Sequence, residues 1–506
     1  MLVLRRHWLA AALLAAGLLL RVLGEFAYRP ALFYIDSPRY LYDAQGMDPV
    51  GYKGPLRAIL AIGDFNVVVA VQHLLALAMA VVLYVLLLRR GAFRWLAALA
   101  IAPLLLDAYQ IHDEQTIMPG TWFAALIVAG LAILLWRPHV TWRTAAAAGL
   151  AFGTSATFAQ VGEALLLPAV IFLLAVGGGW RRVLGRAAVL SGGFALPILA
   201  YCTGSYLLTG SFYLSHQGVT SFYGRTAAAV DCATMSLPAS EQAMCPTPAQ
   251  QAKGNDWLEY NPASPVQAHY YHRLPHPMPR SQVDSLVSDF GHRVLTRQPG
   301  RVFAAYLRDV VKPFALTRGT SPGDPPISRW QFQTGFPYFP PWVSRHWVAT
   351  AAGRFGGGAP AVWLPVAAFL RSYQLDGGYT PGPLLALFVL AGLLGSMALI
   401  ARRGLTKPGR QMALACLLFF GSGVFLVLIS DLFVFSWRYQ LPALVTLAPA
   451  GALGIGVIAS MIAGRRPPAG PSEPSEPSAS HGIAHGAHEN LRADLDVVGK
   501  PKQVPD

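Results

Sequence analysis

Apolar runs long enough to cross a bilayer recur along this chain, and arginine-rich clusters mark alternate connections between them, a pattern that decides the fold class first. The runs lie near residues 8–26, 65–88, 93–109, 117–136, 143–160, 163–179, 187–208, 382–401, 411–430 and 438–462. With Arg5 and Arg6 on the cytoplasmic side, "RRGAFR", "WRPHVTWR", "WRRVLGR", "RRGLTKPGR" and the final "GRR" all fall on that same side. The expectation is an all-α polytopic membrane protein of about ten transmembrane helices, in the cell membrane, with both termini cytoplasmic. Composition agrees: 54% of residues are hydrophobic and 13% charged, against roughly a quarter charged in soluble domains. The net charge of +14 sits in clusters beside apolar runs, which points to membrane lipids as partners and away from nucleic acid. The first run starts like a signal peptide but meets no small-x-small cleavage pattern before polar sequence begins, so it reads as a retained span.

Four segments follow. Residues 1–209 form an N-terminal transmembrane module with external loops, 210–380 a long extracytoplasmic segment of mixed helix and loop, 381–463 the C-terminal transmembrane helices, and 464–506 a disordered cytoplasmic tail rich in Pro, Ser and Gly. Cys202 and Cys416 lie in apolar runs and read as small buried hydrophobes. Cys232 and Cys245 share one polar external loop, where a disulfide between them is expected.

The same register places acids outside: Asp36, Asp43 and Asp48 in the first loop, Asp107, Asp113 and Glu114 in the second, Glu163 in the third, and Asp431 in the last. Ionised carboxylates beside hydrocarbon are costly and usually face a protein interior or a wet cavity. In "YIDSPRYLYDA" Asp36 has two readings, a cap on a helix that begins near Pro38 or a chemical group. "YQIHDEQTIMPGTWF" packs His112, Asp113 and Glu114 between two spans, a combination that binds a divalent cation or orients a sugar hydroxyl. "FSWRYQLP" puts Arg438 at the outer end of a helix, against the inward bias of arginine, either to meet an anion or to snorkel to headgroups. "QAHYYHRLPHPMPR" groups His269, His272 and His276 at spacings that fit a zinc site poorly, so aromatic packing at the interface is the better reading.

The order "YIDSPRYLYDA", "GYKGPLRAIL", "VQHLLALAMAVVLYVLLLRR", "HDEQTIMPGTWFAAL" and "FSWRYQLPALVTLAPA" resembles the polytopic glycosyltransferases of the GT-C class. Within that class it is most similar to the bacterial lipid-carrier-dependent branch of protein mannosyltransferase-like and aminoarabinose transferase-like enzymes. The likeness covers the first third of the chain and the last span. It implies an inverting glycosyltransferase that moves a sugar from a polyprenyl-phosphate carrier to an acceptor hydroxyl of a glycan, lipid or protein at the outer face of the cytoplasmic membrane. It implies that Asp36 is the general base and that Asp113 and Glu114 help build the site or hold a divalent metal cation, Mg or Mn. Many relatives carry adjacent acids in the first loop, whereas Ser37 follows Asp36 here, so the likeness does not extend a metal to Asp36. The departing lipid phosphate calls for fixed cations, and the candidates are Arg438, Lys53, Arg39 and Arg57, with His112 and Tyr40 on the acceptor side or supporting. The rival reading is a transporter or lipid flippase, which calls for helix breaks or charges in mid-span and a repeat between halves; most of the acids stand at outer ends instead.

Overall fold

The computed structural model describes residues 5–42, 49–215, 218–272, 278–336, 343–401 and 405–464. Asp43, Asp48, His276 and the tail from Arg465 onward lie outside the described residues. Six helices are long and apolar enough to cross a membrane: Trp8–Ala27, Phe65–Arg89, Trp180–Thr209, Gly382–Ile400, Lys407–Ser430 and Trp437–Ala463. The bent pair Arg94–Leu106 and Ala108–Gln115 brings the number to seven. The protein is therefore a multi-pass membrane protein that is helical, among the described residues, apart from one two-stranded pairing of Tyr28–Arg29 with Ala361–Val362, although the expected count of about ten is not reached by length. The runs near 117–136, 143–160 and 163–179 fold as Gly120–Leu135, Trp142–Phe158 and Leu166–Val176, of 16, 17 and 11 residues. At 1.5 Å per residue these are shorter than the ~20 residues that match a hydrocarbon core about 30 Å thick, so length alone does not count them as spans.

Between helices in lipid the hydrophobic effect is weak, and close backbone contact takes its place. A Cβ at Gly149 would stand 2.2 Å from the Leu190 carbonyl oxygen, and one at Gly153 2.0 Å from that of Phe194. Glycine spaced four apart thus lets Trp142–Phe158 lie directly on Trp180–Thr209.

The bend between Arg94–Leu106 and Ala108–Gln115 is 50°, and its backbone groups can be accounted for one by one. The Ala108 amide donates to the Gly378 carbonyl and the Tyr109 amide to the Asp107 carboxylate, at 2.7 and 3.0 Å. Those amides would otherwise serve the Leu104 and Leu105 carbonyls. Arg21, from the first span, takes both carbonyls instead, with Nη2 at 3.1 Å and Nη1 at 2.9 Å. The Leu106 carbonyl accepts from the Tyr373 hydroxyl at 2.6 Å. Arg21 also donates to the Gly17 carbonyl and reaches both oxygens of Glu114, at 2.8 and 2.7 Å. All five of its N–H groups are used, and the side chains of Arg21 and Glu114 are 1% and 0% exposed.

The external segment has a core of its own, in which Tyr223, Val287, Phe290 and Val294 are buried between Gly218–Ala229 and Arg280–Arg297. Cys232 and Cys245 form the expected disulfide. His269 and His272 are exposed, while Tyr270 and Tyr271 donate to the Ser240 carbonyl and to Asp284. Further contacts tie this segment to the membrane helices, beyond the Gly378 and Tyr373 bonds at the bend. Arg318 pairs with Asp107 through two bonds, Arg225 reaches Asp309 and the Asp431 and Leu432 carbonyls, and Asn255 donates to the Phe433 carbonyl.

Breaking a buried pair strands a charge, at a cost of about 3–5 kcal/mol, whereas replacing both partners by apolar groups is often near neutral. Arg21→Met should therefore lower stability in denaturation assays by that amount, and Arg21→Met with Glu114→Met should recover most of the loss.

Candidate active site

The first loop is fixed to the second by backbone. The Leu32 amide donates to the Gln115 carbonyl and the Ile117 amide returns to the Leu32 carbonyl, both at 2.9 Å. Ser37 continues the link: its hydroxyl accepts from the Tyr34 amide at 2.9 Å and donates to the Ile117 carbonyl at 3.0 Å. Ser37, next to Asp36, therefore clamps the two loops together.

Asp36 precedes the short helix Ser37–Leu41, yet its side chain makes no capping bond. It faces the last span instead, where Arg438 Nη1 lies 3.3 Å from its Oδ2 and Arg39 Nη2 3.7 Å from the same atom. The Asp36 side chain is 17% exposed and that of Arg438 16%, so the pair is half-enclosed yet reachable. Arg438 does not snorkel. Its guanidinium lies over the rings of Trp330, Tyr439 and Tyr34, at 4.8, 5.0 and 5.7 Å. Arg39 donates to the Tyr40 hydroxyl at 2.8 Å, and Tyr40 meets Tyr52 edge to face.

Burial works to raise the Asp36 carboxyl, but the Arg39 and Arg438 guanidiniums outweigh it, and Arg329 adds to their effect. Asp36 consequently titrates below the usual carboxylate range and is ionised at neutral pH. Because the folded-state value is depressed, the stabilisation it gives is present above the ordinary Asp value and is lost as pH falls through the lower folded value.

Asp113 and Glu114 are adjacent on a helix, so their side chains point about 100° apart. Glu114 turns inward, where His73 Nδ1 at 3.0 Å and Gln110 Nε2 at 3.0 Å join Arg21 around it. Its carboxylate oxygens are thus engaged by Arg21, His73 and Gln110. Asp113 turns the other way, against Gly120, where a Cβ would come within 2.1 Å of its Oδ2. Its Oδ1 is buried with no hydrogen-bond partner among the described residues, and Arg438 acts on it electrostatically. His112 packs edge to face on Phe332, with Nδ1 unpartnered among the described residues, beside a small cavity that Tyr34 and Arg329 also line. Lys53 is half-buried and Arg57 exposed, both on the helix Lys53–Leu60.

The donor set for a divalent cation does not fit these residues. Glu114 is committed to Arg21, Asp36 is flanked by guanidiniums, and no three His, Cys, Asp or Glu side chains converge among the described residues. Sequence reasoning missed Arg21, Arg329 and Trp330. Arg21 carried a signal, as an ionisable residue inside a span; the other two lie in a single short 3-10 turn, Ile327–Trp330, too brief to leave a period in the sequence.

No protein-family model matches the chain, and no curated protein does. Among solved structures, the chain is similar to the Saccharomyces cerevisiae protein O-mannosyltransferase Pmt1–Pmt2 complex bound to the sugar donor, at 15% identity and a TM-score of 0.31, over 47% of this chain and 38% of that one. It is also similar to the archaeal oligosaccharyltransferase AglB from Archaeoglobus fulgidus in complex with an inhibitory peptide and a dolichol-phosphate, at 14% identity and a TM-score of 0.39, over 90% of this chain and 51% of that one. The chain thus spans well under two thirds of the length of either.

Removing one flanking cation should release the Asp36 carboxyl upward. In Arg438→Gln, the protonated-carboxyl infrared band assigned to Asp36 by its loss in Asp36→Asn should appear at higher pH than in the wild type.

Proposed function

We propose that the protein is an inverting glycosyltransferase that takes a sugar from a polyprenyl-phosphate carrier and passes it to an acceptor hydroxyl at the outer face of the cytoplasmic membrane. The observation that carries this reading is one ionised carboxylate, Asp36, held 3.3 Å from Arg438 and 3.7 Å from Arg39, with Arg438 stacked over the rings of Trp330, Tyr439 and Tyr34. Arg438 and Arg39 share this one acid, while Arg329 beside them pairs with Asp256, so the site has cationic capacity left for a phosphate.

Chemically, the acceptor hydroxyl gives its proton to Asp36 as its oxygen attacks the anomeric carbon. The bond from that carbon to the phosphate oxygen breaks on the opposite side, which inverts the centre, and the polyprenyl phosphate departs as an anion beside Arg438 and Arg39. A positioned base contributes on the order of 100-fold to 10,000-fold, and fixed cations stabilise the growing phosphate charge. The depressed pKa of Asp36 poses a difficulty for a base, because an acid held low binds a proton weakly. Donor phosphate resolves it: by drawing Arg438 and Arg39 to itself, it lessens their hold on the carboxylate and raises its basicity when the substrate is in place. Trp330, Tyr34 and Tyr439 offer faces on which a sugar ring stacks.

The purified protein in nanodiscs, given a panel of polyprenyl-phosphate sugars and envelope acceptors, should release polyprenyl phosphate from one of them. Charged hydrogen bonds contribute about 1.5–3 kcal/mol. With that donor, Arg438→Gln should lower kcat/KM by roughly 10-fold to 150-fold, and Arg438→Lys should rescue little, since lysine neither forks nor stacks as arginine does. A protein that binds no lipid-phosphate sugar and moves a lipid across vesicles instead is the contrary outcome.

A further inference from the structure

At the end of the bundle away from Asp36, the basic connections converge. Arg90, at the end of Phe65–Arg89, donates through Nε and Nη2 to the Leu135 carbonyl and through Nη2 to the Arg137 carbonyl. Arg410 donates through Nη2 to the Ala175 and Val176 carbonyls, at 3.0 and 3.1 Å. These bonds join the ends of four helices around a cavity of about 170 Å³, well beyond the ~30 Å³ a single water occupies. Arg90, Arg137, Lys407 and Arg410 line it, with His139, and no carboxylate does among the described residues. Its floor is apolar and includes Phe172 and Leu414.

Exposed tryptophans ring this end of the bundle. Trp136, Trp142 and Trp180, each 41% exposed or more, stand at this end of the bundle with Arg89, Arg143 and Arg181 over their rings at 4.9, 5.2 and 5.5 Å. Tryptophan with arginine in this arrangement marks a membrane interface. Four cations without a countercharge, above an apolar floor and beside lipid, match the chemistry of a phosphate that carries acyl chains better than that of a soluble anion.

We infer that this cavity binds the headgroup phosphate of an anionic phospholipid from the leaflet at the basic end of the bundle. The lipid phosphate meets Arg137 and Lys407 at the mouth, while Arg90 and Arg410 keep the helix ends in place and add charge behind it. The inference is independent of the glycosyltransferase reading, because no residue is shared between the two sites.

The test uses the full chain in phosphatidylcholine nanodiscs with a rising fraction of phosphatidylglycerol, with bound lipid counted by native mass spectrometry. The wild type should retain phosphatidylglycerol over phosphatidylcholine. Arg137→Gln with Lys407→Gln should bind it about 30-fold more weakly, from roughly one cation's worth of attraction lost at each position. Both side chains are exposed, so the Gln pair should melt with the wild type in pure phosphatidylcholine, and Arg137→Lys with Lys407→Arg should retain the lipid. Undiminished retention in the Gln pair overturns the assignment. So does full displacement of the lipid by inorganic phosphate, which would give the cavity to a soluble anion.

Discussion

The Arg21 to Glu114 pair is the interaction on which the rest of the structure depends. A carboxylate with no exposed surface, deep among apolar helices, is tolerated only when its lone pairs are met, and here Arg21, Gln110 and His73 meet them. The same guanidinium closes the carbonyls that the bend at Asp107 opens. Charge pairing and backbone satisfaction therefore use one side chain, and together they set the rotation of Ala108–Gln115 about its axis. Once Glu114 is turned inward, Asp113 has to face the other way, toward the field of Arg438.

The outer site is built from parts far apart in sequence. Asp36 and Arg438 are separated by 402 residues, and their contact needs the first loop clamped on the second through Ser37, with the last span seated beside both. The external segment completes the wall. Arg318 reaches Asp107, whose carboxylate also accepts from the Thr380 amide, and Trp330 lies under the Arg438 guanidinium. A cation stacked on rings and pinned to one acid keeps its orientation without giving up the charge that a phosphate requires.

Much of this was legible in the sequence. Apolar runs and alternating basic connections mark the membrane module because lipid leaves helices few alternatives. Arg438 stood out by defying the arginine bias, and Cys232 with Cys245 by sharing one polar loop. Less was legible where tertiary contact decides. Glu114 reads like Asp113 until the helix rotation is known, and only a partner 93 residues away separates their roles. The expected count of about ten spans is not confirmed by helix length, because hydropathy does not reveal where a helix stops short, as Gly120–Leu135 does. Arg329 and Trp330 lie in a single short 3-10 turn, Ile327–Trp330, too brief to leave a period in the sequence, so nothing local points to their place beside Asp36.

The central claim is that Asp36 removes the acceptor proton while arginines hold the phosphate. The most direct measurement compares single-turnover sugar transfer by the wild type and Asp36→Asn in nanodiscs, with donor binding measured in parallel. The account predicts that Asp36→Asn still binds the polyprenyl-phosphate sugar but transfers it on the order of 100-fold to 10,000-fold more slowly. Transfer at the wild-type rate by Asp36→Asn would contradict it.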